Sequence, residues 1–338
     1  MNDQHHLYAI ISDIHANYQA LLAVEEDAQN LAQNERLGQP VFVCLGDVVD
    51  FGPQPNECMT WVSNRADITV QGNHDAAAAD GLYVPPIHHD INQEFWPITL
   101  WTRQALADDH KHTIREWKPK RRAPSGLKKF TLFHGSPISQ TGRIEYGKQA
   151  TQYIRKLRTH IHYGLFGHTH IQGYFVEGSL TAFVACPDKV GSGENWQTVP
   201  VGSWEPLPNS WRKAIFNPGS VGQPRLHSLL VPLNVARDPH AAYMLLLVGS
   251  NGNSRFQFRR VAYDVEETVR QLRENVRWGE NGKQSQEGNN ILKAEDNDQR
   301  ERPWDPDKTY LEEMLREMPE RLEQLVKETL IPTLMGRS

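Results

Sequence analysis

The sequence predicts an α/β fold with two sheets, on two observations. Short β-branched and aromatic runs alternate with helical patterns through residues 7–170, and a β-rich stretch follows over residues 173–262. Leu7–Ile11 reads as a buried strand, and Asn17, whose side chain can cap, opens a helix carrying apolar Leu21, Leu22, Ala28 and Leu31. Val41–Leu45 and Asp67–Val70 repeat the unit, as do Phe130–Phe133 and Tyr163–Phe166. All five strands end in polar clusters. In open α/β sheets ligands bind beyond the carboxyl ends of strands, so clusters far apart in sequence can meet at one site. Gly173–Val176, Ala182–Ala185, Ala214–Phe216, Ala242–Val248 and Phe256–Ala262 are expected to form a second, more antiparallel sheet packed on the first.

Residues 92–117 carry helix formers with Trp96, Trp101 and Trp117, read as packing aromatics, and Asp264–Arg277 reads as a helix. The first domain is therefore placed at residues 1–278. Residues 279–307, nearly devoid of apolar side chains, read as a flexible polar linker. In residues 308–338 Leu311, Met314, Leu315, Met318, Leu322, Leu325, Val326 and Leu330 recur at helical spacing. Pro319 fits the first turn of a new helix there. This amphipathic tail is expected to dock on its own domain or to mediate oligomerisation.

Composition narrows the function. The 338 residues hold 36 Lys plus Arg against 41 Asp plus Glu, a net charge of −5, so no global positive field draws nucleic acid or an anionic membrane. The longest apolar run, Ala241–Val248, falls far short of the roughly 20 residues that span a bilayer. Residues 1–6 lack the basic start of a secretory signal. Cys44, Cys58 and Cys186 are odd in number and widely spaced, against a disulfide framework, and a reducing cytoplasm is expected.

The chemistry lies in Asp13-x-His15, Gly46-Asp47-x-x-Asp50, Gly72-Asn73-His74-Asp75, His134-Gly-Ser and Gly167-His168-x-His170. Carboxylates, imidazoles and one amide without thiolates form a ligand set for Mn, Fe, Zn, Ni or Mg. Any one cluster also fits a hydrogen-bonded core residue. Five in order, each closing a strand, point to a metal site.

That order of motifs resembles the calcineurin-like metallophosphoesterases, over roughly residues 7–263. The segments Gly46–Cys58 and Asn217–Arg225 are similar to the small prokaryotic branch of that family. The resemblance implies a four-layered α/β/β/α sandwich of two mixed sheets and a pair of divalent cations. One cation would take Asp13, His15, Asp47 and His170, and the other Asp47, Asn73, His134 and His168, with a bridging hydroxide as nucleophile. His74 would protonate the leaving oxygen, with Asp50 setting its tautomer. Two cations outweigh the two carboxylates of Asp13 and Asp47, so the pocket is suited to an anion such as a phosphoryl group.

The implied activity is phosphomonoester or phosphodiester hydrolysis. A dinucleoside polyphosphate hydrolase would use the same centre, and a protein-interaction scaffold on the same fold is the alternative outside enzymes. Phe51 stands where the related Ser/Thr phosphatases carry arginine, so phosphoprotein specificity is not implied. Arg225 is a candidate substrate-binding residue, as a guanidinium binds phosphate bidentately, or else it ties down its own turn. Asn73 is expected to serve substrate binding as well as metal. Lys118, Lys120, Arg121, Arg122, Lys128 and Lys129 form a basic stretch, read as a solvated turn or as a contact for a phosphate-rich partner such as nucleic acid.

Overall fold

The structure, a computed structural model, describes residues 5–80, 99, 101–186, 192–193, 195–207, 212–224, 240–249 and 254–275. The linker 279–307, the tail 308–338, Trp96 and Arg225 lie outside the described residues. In chain order the strands are β1 (His5–Ile11), β2 (Val41–Cys44), β3 (Ala66–Thr69), β4 (Lys120–Arg122), β5 (Phe130–Phe133), β6 (Tyr163–Leu165), β7 (Gly173–Val176), β8 (Ala182–Cys186), β9 (Ser192–Gly193), β10 (Trp196–Pro200), β11 (Glu205–Pro206), β12 (Ala214–Asn217), β13 (Ala241–Gly249) and β14 (Arg255–Val261). The helices are α1 (Tyr18–Asn34), α2 (Pro55–Arg65), α3 (Asn73–Asp80), α4 (Asp108–Glu116), α5 (Gly147–Ile154) and α6 (Val265–Asn275). A helical stretch over 101–105 precedes α4.

Two mixed sheets result. The first is six-stranded, in the order β11-β14-β13-β1-β2-β3; the second is eight-stranded, β4-β5-β6-β12-β7-β8-β10-β9. β1, β2 and β3 run parallel, as do β5, β6 and β12.

Strand periodicity builds the layers. On β1, Leu7, Ala9 and Ile11 face one core and Tyr8 and Ile10 another. On β13, Tyr243, Leu245 and Leu247 join the first of these, Met244 and Leu246 the second. The first core lies beneath α1 and α2, which contribute Leu21, Val24, Ala28, Met59 and Val62. The second lies between the sheets, where Leu132, Leu165 and Phe216 meet Ile10, Val43 and Leu246. A third is closed by Ala150 and Ile154 of α5 against Phe133, Phe166 and Ile215. The order is thus helix, sheet, sheet, helix. Each fully buried Leu, Ile or Phe in these layers contributes about 1.5–3 kcal/mol through burial.

Local signals explain the helices nearest the site. Asn17 caps α1 by accepting from the Ala20 amide at 3.2 Å, and α2 starts on Pro55, whose missing N–H costs nothing in a first turn. Gln172 joins the sheets by donating to the carbonyls of Tyr243 and Arg259 at 2.9 and 3.0 Å.

Two sequence expectations are corrected. The late strands divide between the sheets: β7, β8 and β12 lie in the second as expected, but β13 lies antiparallel to β1 inside the first, with Tyr8 opposite Leu246, and β14 lies beside it. β5 and β6 belong instead to the second sheet. The basic stretch is not a turn throughout. Lys120–Arg122 form β4 at the end of the second sheet, paired with β5, where charged side chains discourage further strand pairing. Trp117 packs against the first core, as its reading as a packing aromatic requires.

Candidate metal centre

Parallel strands bring their carboxyl ends to the same edge of each sheet, and the two edges face one another. Asp13 and His15 follow β1; Asp47 and Asp50 follow β2; Asn73 and His74 open α3 after β3; His134 follows β5; His168 and His170 follow β6. The turns are tight. Asp13, His15, Ala16, Asp47, Asp50, Phe51, His168 and His170 all have positive φ, and outside this edge only Arg36 does so among the described non-glycine residues. Left-handed backbone at non-glycine residues costs of order 1–3 kcal/mol each and persists where the surroundings impose it, typically at functional sites.

Two groups of side chains converge. Asp13, His15 and His170 have ligating atoms within 4.8 Å of one another, as do Asp47, His134 and His168. In the first group His15 Nε2 and His170 Nε2 stand 3.0 Å apart. Each ring donates its Nδ1 proton to a backbone carbonyl, His15 to Val49 at 3.4 Å and His170 to Gln223 at 2.8 Å. With Nδ1 committed to a carbonyl, each ring turns Nε2 into the pocket, where His170 Nε2 also lies 3.3 Å from Asp13 Oδ1. In the second group His134 donates Nδ1–H to the Leu45 carbonyl at 2.8 Å, and its Nε2 lies 2.9 Å from Asp47 Oδ2. Those two atoms form a buried ion pair, and the buried Asn73 Oδ1 has no hydrogen-bond partner among the described residues. Buried polar atoms are nearly always satisfied. Converging nitrogen and oxygen donors with Asn73 Oδ1 unsatisfied beside them fit divalent cations, so these residues suit the ions that the sequence implies.

The field around Asp47 agrees. Burial opposes protonation of His134 and His74, but Asp47, joined by Asp50 at His74, outweighs it and lifts both to about 9. A divalent ion on the same carboxylate would satisfy that attraction at His134 in place of its proton, while His74 keeps Asp50. Burial also works against the Asp47 carboxylate, yet His134 and His74 hold its pKa well below the usual range. For His15 and His168 burial dominates, and both stay well below their ordinary value, neutral as ligands must be.

Motif residues to which the sequence assigns no role hold the loops in place. Asp75, fully buried, accepts from the amides of Asp47 (2.8 Å), Val48 (2.8 Å), Val49 (3.2 Å) and Gly72 (2.9 Å), binding the β2 and β3 loops together. The loop after β12 does the same between Asp13 and His170. Ser220 Oγ donates to the Asp13 carbonyl at 2.7 Å, Asn217 donates to the Gly167 carbonyl at 2.9 Å, and Gln223 supplies the His170 acceptor. The Asp13 carboxylate is met by the His168 amide, 3.1 and 3.0 Å from its two oxygens. Gly72 permits the closest approach: a Cβ there would sit 2.0 Å from Asp47 Oδ1.

His74 stands beside the two groups, its ring edge-on to His15 at 5.2 Å between centroids. Its Nδ1 donates to Asp50 Oδ2 at 2.7 Å, and its amide donates to Asp47 Oδ1 at 2.9 Å. Phe51, also buried, packs on both His15 and His74. The structure thus brings Asp13, His15, Asp47, Asp50, Asn73, His74, His134, His168 and His170 to one edge, while Arg225 falls outside the described residues.

Known proteins share this fold. The family model for calcineurin-like phosphoesterases matches residues 7–172. A metallophosphoesterase of Sphaerobacter thermophilus is 25% identical, with a TM-score of 0.61, over 86% of this chain and 99% of that one. A hypothetical protein of Pyrococcus horikoshii shares the fold at 14% identity and a TM-score of 0.53, over 95% and 97% of the two chains. An uncharacterised protein of Methanocaldococcus jannaschii is 27% identical over 65% of this chain and 77% of its own length. A two-sheet sandwich with two groups that could hold cations at one edge defines the class as metallophosphoesterase-like, and residues 7–172 belong to the calcineurin-like phosphoesterase family. Membership and the two groups together support phosphoester hydrolysis in general terms. Among the described residues no helix is long and apolar enough to cross a membrane.

Proposed function

We propose that the chain hydrolyses phosphomonoesters or phosphodiesters with two divalent cations, one held by Asp13, His15, Asp47 and His170 and the other by Asp47, Asn73, His134 and His168. When bound, such a pair supplies positive charge for the phosphoryl oxygens and activation of a water. The protein supplies the remainder. Asp47 serves both cations, and its loop is held rigid by Asp75. His74, with Nδ1 committed to Asp50, offers Nε2 to protonate the leaving oxygen, and Asp50 maintains that tautomer. Phe51, packed on His15 and His74, keeps water from that flank of the pocket. The setting is a reducing one such as the cytoplasm, in keeping with three buried free thiols at Cys44, Cys58 and Cys186.

The observation that carries this reading is the convergence of His15 Nε2 and His170 Nε2, 3.0 Å apart, on a pocket already holding Asp13. The decisive experiment strips the purified protein of metal, reloads it with Mn, Zn or Mg, and measures turnover of p-nitrophenyl phosphate, bis-p-nitrophenyl phosphate, a phosphopeptide and a dinucleotide. Metal-restored turnover of at least one ester is the expected result. No turnover with any metal overturns the hydrolase reading and leaves the scaffold.

A further inference from the structure

Asp50 is fully buried, at a backbone φ of 78° that its surroundings must impose. Its oxygens show what does so. Oδ2 accepts from His74 Nδ1 at 2.7 Å and from the Thr99 hydroxyl at 2.6 Å. Oδ1 accepts from the neighbouring Phe51 amide at 3.0 Å and from the Thr102 hydroxyl at 3.3 Å. Both threonine hydroxyls thus reach Asp50 from about fifty positions further along the chain. Three residues apart with helical backbone, they project from one face, and branching at Cβ restricts their rotamers. Arg103, next to Thr102, donates to the Ala79 carbonyl at 2.9 Å, on the helix that carries His74. The segment therefore grips the dyad from both sides, its carboxylate through the threonines and its imidazole through α3.

We infer that Thr99 and Thr102 are positioning residues for the His74 proton donor, fixing Asp50 so that the imidazole is held with Nε2 directed to the leaving oxygen. This rests on the reading of His74 as general acid. Two donors on one carboxylate oxygen restrain its rotation; with the Thr99 hydroxyl gone, Oδ2 keeps His74 alone among the described residues, and carboxylate and ring can tilt together about the bonds that remain at Oδ1. Proton donation depends on hydrogen-bond reach in the reacting complex, so small rotations are costly. The loss must grow as the leaving group becomes more basic, because a poor leaving group needs the proton more.

The test is the leaving-group dependence of kcat on aryl phosphates running from dinitrophenyl to phenyl phosphate. It uses the full-length manganese-loaded protein as wild type, His74→Ala, Thr99→Val, Thr99→Ser and Thr102→Val. His74→Ala is expected to steepen the dependence. Thr99→Val should steepen it in the same direction, with a loss of about tenfold on phenyl phosphate and with KM and bound metal preserved. Thr99→Ser should restore the wild-type slope, and Thr102→Val, which loses the longer bond, should show a smaller effect of the same sign. If both valine variants keep the wild-type slope, or lose rate uniformly across the series while His74→Ala steepens it, the positioning role is overturned and the hydrolase reading stands. A wild-type slope in His74→Ala overturns the general-acid reading itself, and the threonine role with it.

Discussion

His15 Nε2 and His170 Nε2 face each other at 3.0 Å while the other nitrogen of each ring is turned to a backbone carbonyl. The backbone thereby decides which ring atoms are exposed to the pocket. Val49 and Gln223, more than a hundred residues apart in sequence, orient two imidazoles to one point beside Asp13. Loops after β1, β2, β6 and β12 meet there because their strands do.

Such a pocket predicts metal-dependent stability. Ions that bind the folded state alone add about 2.7 kcal/mol at a hundred times their Kd. Manganese or zinc should raise Tm, and the double variant His15→Ala, His170→Ala should lose much of that rise and about half of the bound metal. Calorimetry beside elemental analysis checks both; an unchanged metal content in the double variant would count against the pocket as a binding site.

His74→Ala separates chemistry from metal binding, since its ring bonds to Asp50 and not within either convergent group. Bound metal should stay at the wild-type level while kcat falls about 10²–10⁴-fold, the usual range for a general acid. Undiminished turnover removes His74 from the reaction.

The legible part of this site was the part whose chemistry is written in side-chain type. Asp13, His15, Asp47, Asn73, His134, His168 and His170 are uncommon choices at strand ends, and the resemblance of their order to one family supplied the grouping. The supports were less readable for a physical reason. Asp75 satisfies four backbone amides, and amides have no sequence signature. Thr99 and Thr102 are ordinary helix-surface residues until Asp50 is seen beneath them. The sheets were misassigned on the same principle. Ala241–Gly249 is apolar on both faces, which reports a central strand but not the sheet that holds it, and only its pairing with β1 decides.

Asp75 should therefore be costly to remove. Asp75→Ala orphans four buried donors at once, and each unsatisfied buried group costs about 1–3 kcal/mol before relaxation or water entry. A loss of at least about 3 kcal/mol is expected in urea unfolding of the metal-free protein. Because the donors flank Asp47, metal affinity should fall as well. A variant as stable as wild type would mean that the loops hold without this carboxylate.

Gly72→Ala tests the same loop from its other side. A Cβ at this position meets Asp47 Oδ1 at 2.0 Å and the Asp47 amide nitrogen at 2.2 Å, so side chain and backbone of the shared carboxylate must both move. Overpacking of this kind costs about 1–3 kcal/mol, a modest part of a domain's stability, and the protein should still fold. The functional loss should be larger. Asp47 is the carboxylate assigned to both cations, and shifting it misplaces the two together, so metal content and turnover should fall in parallel with circular dichroism unchanged. Gly178→Ala is the control, because a Cβ there meets nothing within 4 Å. It carries its own backbone strain at φ 74° and so reports strain without a clash. If Gly72→Ala binds metal and turns over like that control, the close approach of Gly72 to Asp47 is not what fixes the shared ligand.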